Sequence, residues 1–232
     1  DKEGEQLVEL ADGFGLTTEF FQLDYERPTG KVLAHVDALG DATYDIVHPV
    51  AWDHIEYLPA LKQLVETAPY FLFGTLASRS KTTRDTLMQL LEAANTKVLD
   101  MNLRFPWYNR SLLSDFLNRT DILKLNADEL ELITGWFSHY SNETDRIKAI
   151  RDRFGITHII VTRGKHGAII NQGNLFWEHP GFTVDVADTV GSGDAFTAGI
   201  LSGLIQNKEM EVTLDFANRV AAFVTSRQGA CP

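Results

Sequence analysis

Short apolar and β-branched runs bounded by turn residues alternate along this chain with stretches whose apolar positions recur every three or four residues. The runs predict strands at 31–38, 70–74, 97–102, 122–126, 158–164 and 167–172. Helical spacing predicts helices at 57–67, 80–95, 109–119, 127–134, 143–154, 192–206 and 211–227, with a further helical pattern (Leu7, Leu10, Ala11) near the start. "YFLFG", "KVLDMN", "ILKLN" and "HIIVT" are almost continuously apolar, as parallel strands buried on both faces must be. Strands alternating with helices then predict an α/β fold: a three-layer α/β/α sandwich around a mostly parallel sheet. Residues 20–50 differ. They alternate apolar with polar, which predicts antiparallel strands with one solvated face, a small β lid beside the main sheet of one domain spanning 1–232.

With 232 residues, 44% hydrophobic and 23% charged, the chain can bury a full core. The formal net charge of −11 argues against a nucleic-acid or membrane-surface binder, which needs a positive field. The single cysteine, Cys231, excludes an internal disulfide and fits a reducing, cytoplasmic setting. No apolar stretch approaches the roughly 20 residues of a membrane helix, and no signal peptide opens the chain. "DKEGEQLVELADGFGL" and "TSRQGACP" do not read as natural termini, so a fragment truncated at both ends is expected.

Candidate chemistry centres on "DTVGSGDAF", 188–196. In a doubly wound sheet, ligands sit beyond the carboxyl ends of the strands, where loops enter helix N-termini. Gly191, Ser192 and Gly193 can turn consecutive N–H groups onto an anion, and the helix that follows adds its positive dipole end. Taken alone, the same residues equally suit a tight turn, with Asp194 an ordinary first-turn acid. The Walker pattern is absent, "GFG" at 13–15 lacks the rest of a dinucleotide fingerprint, and Ser192 is too closely flanked for a nucleophile elbow. The histidines show no HxxxH or HExxH spacing, so no zinc site is expected.

"DTVGSGDAF" resembles the DTxG[AS]GDAF signature of the ribokinase-like, pfkB-type carbohydrate kinases, and other elements follow in that family's order. "RPTG" (27–30) is similar to the start of its lid strands, "DMNLR" (100–104) to its DxNxR element and "LNADELELITG" (125–135) to its NxxE element. "VTRGKHGA" (161–168) is similar to its TxGxxG nucleotide loop, and "FANRVAAFVTSRQGA" (216–230) to the helix and turn that close the adenine site. DxNxR together with "RPTG" most resembles the fructokinase branch, and "LKLNADE" lacks the KPN variant of phosphorylated-sugar kinases.

The resemblance implies a ribokinase-like sandwich that transfers the γ-phosphoryl group of ATP, with Mg2+, to a sugar hydroxyl, fructose first among candidates. Asp194 is then the general base, and Gly191, Ser192 and Gly193 the anion hole. Asn126 and Glu129 would organise magnesium through water, an N-cap with its capping-box acid being the alternative reading. Thr162, Gly164 and Gly167 would let the nucleotide approach, where a plain hairpin is the alternative, and Asn218 would reach the adenine edge. Asp100, Asn102 and Arg104 would face substrate or phosphate, with a structural Asp–Arg pair the alternative. Asp188, joined by Val190, Val224, Arg227 and Gly229, would hold a monovalent cation such as K+. The lid would close over sugar or pair a homodimer. The family's opening strand, with its sugar-binding aspartate and GGxxxN segment, does not precede Asp1, so part of the sugar pocket is expected to be missing and this fragment inactive alone. A related kinase for ribose, ketodeoxygluconate or a nucleoside, or a nucleotide-binding assembly protein without catalysis, are the other readings; the intact Asp194 between its glycines and helix counts against the last.

Overall fold

The computed structural model describes residues 1–36 and 42–232, so the end of the first predicted strand and the middle of the predicted lid lie outside the described residues. Two compact units emerge, 1–68 with 76–95, and 69–75 with 96–232.

The first unit holds α1 (Lys2–Gly13), the antiparallel pair β1 (Val32–Val36) and β2 (Ala42–Ile46), α2 (Pro59–Thr67) and α3 (Lys81–Ala93). Among the described residues of this unit strand pairing is confined to β1 and β2, and residues 20–31 follow an irregular path. Asp53 and Arg79, on separate 3-10 turns at Ala51–His54 and Leu76–Arg79, form an ion pair with both side chains fully buried. Arg79 Nε donates to Asp53 Oδ1 at 2.7 Å and Nη2 to Oδ2 at 2.8 Å, the paired geometry of a guanidinium on a carboxylate. Nη2 also donates to the carbonyl of Val47 at 2.7 Å, and the guanidinium lies 3.9 Å from the centre of the Trp52 ring. Thr83 and Thr86 of α3 donate to the carbonyls of Trp52 (2.9 Å) and Ile55 (2.8 Å), so the segment after β2 is held by side chains where no ladder exists.

The second unit is a six-stranded sheet in the order β3 (Tyr70–Gly74), β4 (Thr96–Asp100), β5 (Ile122–Asn126), β6 (His158–Thr162), β7 (Ala168–Gln172), β8 (Leu175–His179). β3 to β6 run parallel, and β7 and β8 add antiparallel. Its helices are α4 (Arg110–Leu117), α5 (Ala127–Gly135), α6 (Glu143–Phe154), α7 (Ser192–Ile205) and α8 (Met210–Thr225). Side chains alternate across a strand, so Val98, Ile122, Ile160 and Ile170 share one face, buried against Phe196 and Ile200 of α7 and Leu214 and Ala217 of α8. The intervening Leu99, Leu123, Ile159 and Val161 point the other way and are also buried, as are Phe116, Ile133 and Ile150 on α4 to α6. The result is the expected α/β/α sandwich, and each predicted helix is present with ends shifted by a few residues.

Three strand predictions change for local reasons. β4 stops at Asp100 because Asn102 takes a left-handed φ of 38°, which no strand continues through. β6 stops at Thr162 because the chain turns at Gly164–His166 into β7. β8 was not foreseen, although Gly173–Asn174 between two apolar-alternating runs is a two-residue hairpin signal.

The Asp53–Arg79 pair sets a pH test. Burial alone would raise the Asp53 carboxyl, but the Arg79 hydrogen bonds and the Val50 N–H outweigh it and hold it below the usual aspartate value. A lowered native pKa stabilises the fold fully above the ordinary value of about 3.9 and loses that contribution as pH falls toward the native value. Asp53→Asn should therefore cost about 3–5 kcal/mol at neutral pH, where it strands a buried guanidinium. In urea titrations the gap from the unaltered protein should narrow at pH 3; an equal gap at both pH values would remove Asp53 from the acid response.

Candidate active site

The carboxyl ends of β4, β5 and β6 come together because these parallel strands pair in register, Asp100 opposite Lys124 and Asn126 opposite Thr162. α7 begins beside them. Its N-cap, Gly191, is left-handed (φ 79°, ψ −12°), and a Cβ there would strike the carbonyl of Ala230, so only glycine fits both the turn and the close approach. Ser192, Gly193 and Asp194 form the first turn, whose N–H groups have no partner within the helix. Gly193 and Asp194 are exposed.

The end of α8 clamps this start. Thr225 Oγ1 donates to Ser192 Oγ at 3.0 Å, and the N–H groups of Ala187 and Asp188 donate to the Thr225 carbonyl at 2.9 and 3.2 Å. Asp188 accepts from the N–H of Val190 (3.0 Å) and of Gly229 (3.2 Å), and those bonds hold its carboxyl below the ordinary aspartate value. Asp188, Val190, Val224, Arg227 and Gly229 thus meet at one turn, with Gly229 left-handed at φ 86° and Val224 buried.

Beneath α7, Lys124 Nζ lies 3.0 and 2.8 Å from the two oxygens of Asp100, with both side chains largely buried. Thr197 Oγ1 lies 3.0 Å from Asp100 Oδ2 and 2.9 Å from the Gly193 carbonyl. The expectation that Asp100 faces substrate, or pairs with Arg104, gives way to this geometry: both of its oxygens are committed beneath the helix. Arg104 is exposed and donates to the carbonyl of Leu103 at 3.0 Å, one step past the turned Asn102.

Asn126 and Glu129 form a capping box at the start of α5. Glu129 does more than cap, since Oε2 accepts the Asn126 N–H at 2.9 Å while Oε1 accepts the Leu103 N–H at 2.7 Å. One carboxylate therefore ties the loop after β4 to the loop after β5.

A cavity of about 630 Å³ opens beside this loop, lined by Asn126, Asp128, Glu143, Thr162, Gly164 and His166 among others. Gly167 closes the turn between β6 and β7 at φ 77°, where a Cβ would collide with the His179 carbonyl. Arg163 on the cavity wall pairs with Glu143 of α6 and, at 3.0 Å, with Glu178 of β8. Burial alone would lower the Arg163 guanidinium; these two acids reverse that and raise it. Asn218 is buried on α8, its amide nitrogen donating to the Leu214 carbonyl at 2.8 Å.

Lys124, the Leu103 N–H and the Glu143–Arg163 pair were missed by sequence reasoning. The one signal available was a lysine inside "ILKLN", two residues past Ile122 and so on its face.

A sequence model described as the pfkB family of carbohydrate kinases matches residues 1–232. Fructokinase of Escherichia coli is 27% identical over 97% of this chain and 76% of its own length. Aminoimidazole riboside kinase of Salmonella typhimurium is 26% identical over 99% and 75%, and 2-dehydro-3-deoxygluconokinase of Haemophilus influenzae 27% identical over 99% and 77%. Among solved structures, fructokinase from Vibrio cholerae with fructose, ADP and calcium superposes with a TM-score of 0.82 at 19% identity, over 99% of this chain and 78% of that one. A ribokinase II from E. coli in complex with ATP and magnesium superposes at 0.84 and 19% identity, over 99% and 75%.

Glu129 supplies the site's own test. A glutamine cannot accept from both the Leu103 and Asn126 N–H groups, because its amide nitrogen would face a donor. Glu129→Gln should cost about 1–3 kcal/mol and speed hydrogen exchange at the Leu103 amide. Unchanged exchange there would show that the carboxylate does not hold the loop.

Proposed function

The chain belongs to the pfkB family of carbohydrate kinases, and from that premise we propose that it transfers the γ-phosphoryl group of ATP to a hydroxyl of fructose, with Asp194 as general base. The observation that carries the reading is an exposed carboxylate in the first turn of a helix whose N-terminal N–H groups and glycine cap form an anion cradle. The sugar oxygen attacks the γ-phosphorus, the bond to the bridging β,γ-oxygen breaks, ADP leaves, and the hydroxyl proton passes to Asp194. The N–H groups of Gly193 and Asp194, with the positive end of the helix dipole, balance the charge on the phosphoryl oxygens.

The cavity lined by Asn126, Thr162 and Gly164 supports a nucleotide there; its phosphates would run toward the α7 N-terminus, and Gly167 and Asn218 would lie on the side of the base. Magnesium, when bound, neutralises phosphate charge during transfer. Glu129 spends one lone pair of each oxygen on backbone N–H groups and keeps a second on each, with which it would hold a water on the ion. Asp188, with the carbonyls around Val190, Val224, Arg227 and Gly229, would take K+. Exposed Val32 and Leu33 on β1 support a homodimer that pairs through this strand, and the single Cys231 suits a cytoplasmic enzyme. Arg104 favours a second reading. An exposed guanidinium beside the turned Asn102 suits an acidic sugar such as 2-dehydro-3-deoxygluconate, the substrate named for a relative as similar as the fructokinase.

ADP release measured across fructose, ribose, 2-dehydro-3-deoxygluconate and nucleosides separates these, and fructose should give the highest kcat/KM. Asp194→Asn in the full-length protein should keep nucleotide binding and lower kcat by about 10²–10⁴-fold, the usual contribution of a general base. Near-normal turnover by that variant would make Asp194 only a helix-dipole acid. Asp188→Asn should cost less and mainly change the potassium dependence of kcat.

A further inference from the structure

Lys124 has no role in the reading above, yet a lysine only 9% exposed within an apolar strand must be there at a cost. Replacing a buried ion pair with apolar side chains is often neutral or better for stability, so the Lys124–Asp100 pair is not explained by stability alone. Its place is specific. Strand alternation puts Asp100 and Lys124 on the α7 face, the parallel register sets them side by side, and a Cβ on Gly193 would lie 3.3 Å from Lys124 Nζ. Asp100 then passes the contact upward, since Thr197 Oγ1 lies within hydrogen-bond reach of both Asp100 Oδ2 and the carbonyl of Gly193, which share its one proton. A chain of three side chains thus starts under Gly193 and returns to it.

We propose that Lys124 is a positioning residue for phosphoryl transfer: through Asp100 and Thr197 it fixes the first turn of α7, and its ammonium puts a buried positive charge against the underside of the phosphoryl cradle. The inference rests on the kinase reading and deepens it. Two of the three ammonium N–H groups can serve the two oxygens of Asp100, and Nζ itself lies against the Gly193 backbone. Its effect reaches the phosphoryl group through the orientation of the Gly193 and Asp194 N–H groups and through space. Preorganised charge of this kind acts on the transition state more than on the bound ground state.

The test compares Lys124→Met with the double variant Lys124→Met/Asp100→Asn in the full-length enzyme. Lys124→Met strands a buried carboxylate, so its melting temperature should fall; the double variant leaves no unpaired charge, so its melting temperature should recover. If Lys124 positions the cradle, kcat stays at least about tenfold low in both variants while KM for ATP and sugar moves less than about threefold. Recovery of kcat together with stability in the double variant would make Lys124 a mere counter-charge and overturn the proposal. So would a raised KM for ATP at unchanged kcat. Should Lys124→Met not fold, the double variant alone decides between these outcomes.

A second measurement separates this proposal from the choice of sugar. Aluminium fluoride with ADP and magnesium mimics a phosphoryl group in transfer, and its binding needs no sugar. Both variants should bind ADP alone as the unaltered enzyme does and lose at least about tenfold in affinity when aluminium fluoride is present. Equal gains from aluminium fluoride in all three proteins would overturn the role of Lys124. If no sugar is phosphorylated by the unaltered enzyme but this difference remains, the sugar-kinase reading fails and the assignment of Lys124 stands.

Discussion

An ammonium group can leave water only if its charge is met, and the Lys124–Asp100 pair meets it where three parallel strands end. The register of β4 on β5 cannot slip by one residue without sending one of the two charged groups to the opposite, apolar face and parting the pair. The same register places Asn126 opposite Thr162, so the start of α7 and the cavity beside Thr162 inherit one alignment. α7 must then start where Thr197 can reach Asp100, which leaves Gly193 and Asp194 at the surface above.

Around that centre, loops are held by carboxylates that accept backbone N–H groups. Glu129 joins the loop after β4 to the start of α5, Asp188 joins the approach to α7 to the turn after α8, and Asp53 does similar work at Val50 in the first unit. Each such acid meets two donors or a donor and a cation, and for Asp53 and Asp188 those bonds hold the carboxyl below its ordinary value. The negative balance of the chain is thus partly internal wiring as well as surface charge. It also explains how an acidic protein can present a turn of main-chain donors: the neighbouring Asp188 is already engaged, and Asp194 lies exposed in the same turn.

Periodicity alone located the helices and the parallel strands, because each long element buries a regular face that its residues announce. The glycine cap and Asp194 were legible from nine consecutive residues. What stayed hidden were relations between distant segments. Nothing in "KVLDMN" or "ILKLN" states that Asp100 and Lys124 are neighbours, and the Leu103 N–H that Glu129 holds has no side-chain signature at all. For Asn126 and Glu129 the capping box was the alternative to a magnesium role and is present in α5, but the second hydrogen bond of Glu129 depends on a loop turned by Asn102, whose left-handed φ the sequence does not declare. β8 was passed over because its five residues are only half-buried, which blurs the alternation that marks a strand.

The hydrogen bond from Thr197 to Asp100 joins residues 97 apart, whereas β6, β7 and β8 close through tight turns and α7 meets α8 across a short connection. Closing a long loop costs more chain entropy than closing a short one, so local pairs form first and distant ones wait for them. The start of α7 therefore depends on a closure that the hairpins and the α7–α8 pair do not need, so a change that weakens this one long-range link would loosen the Gly193–Asp194 turn while leaving the local elements in place.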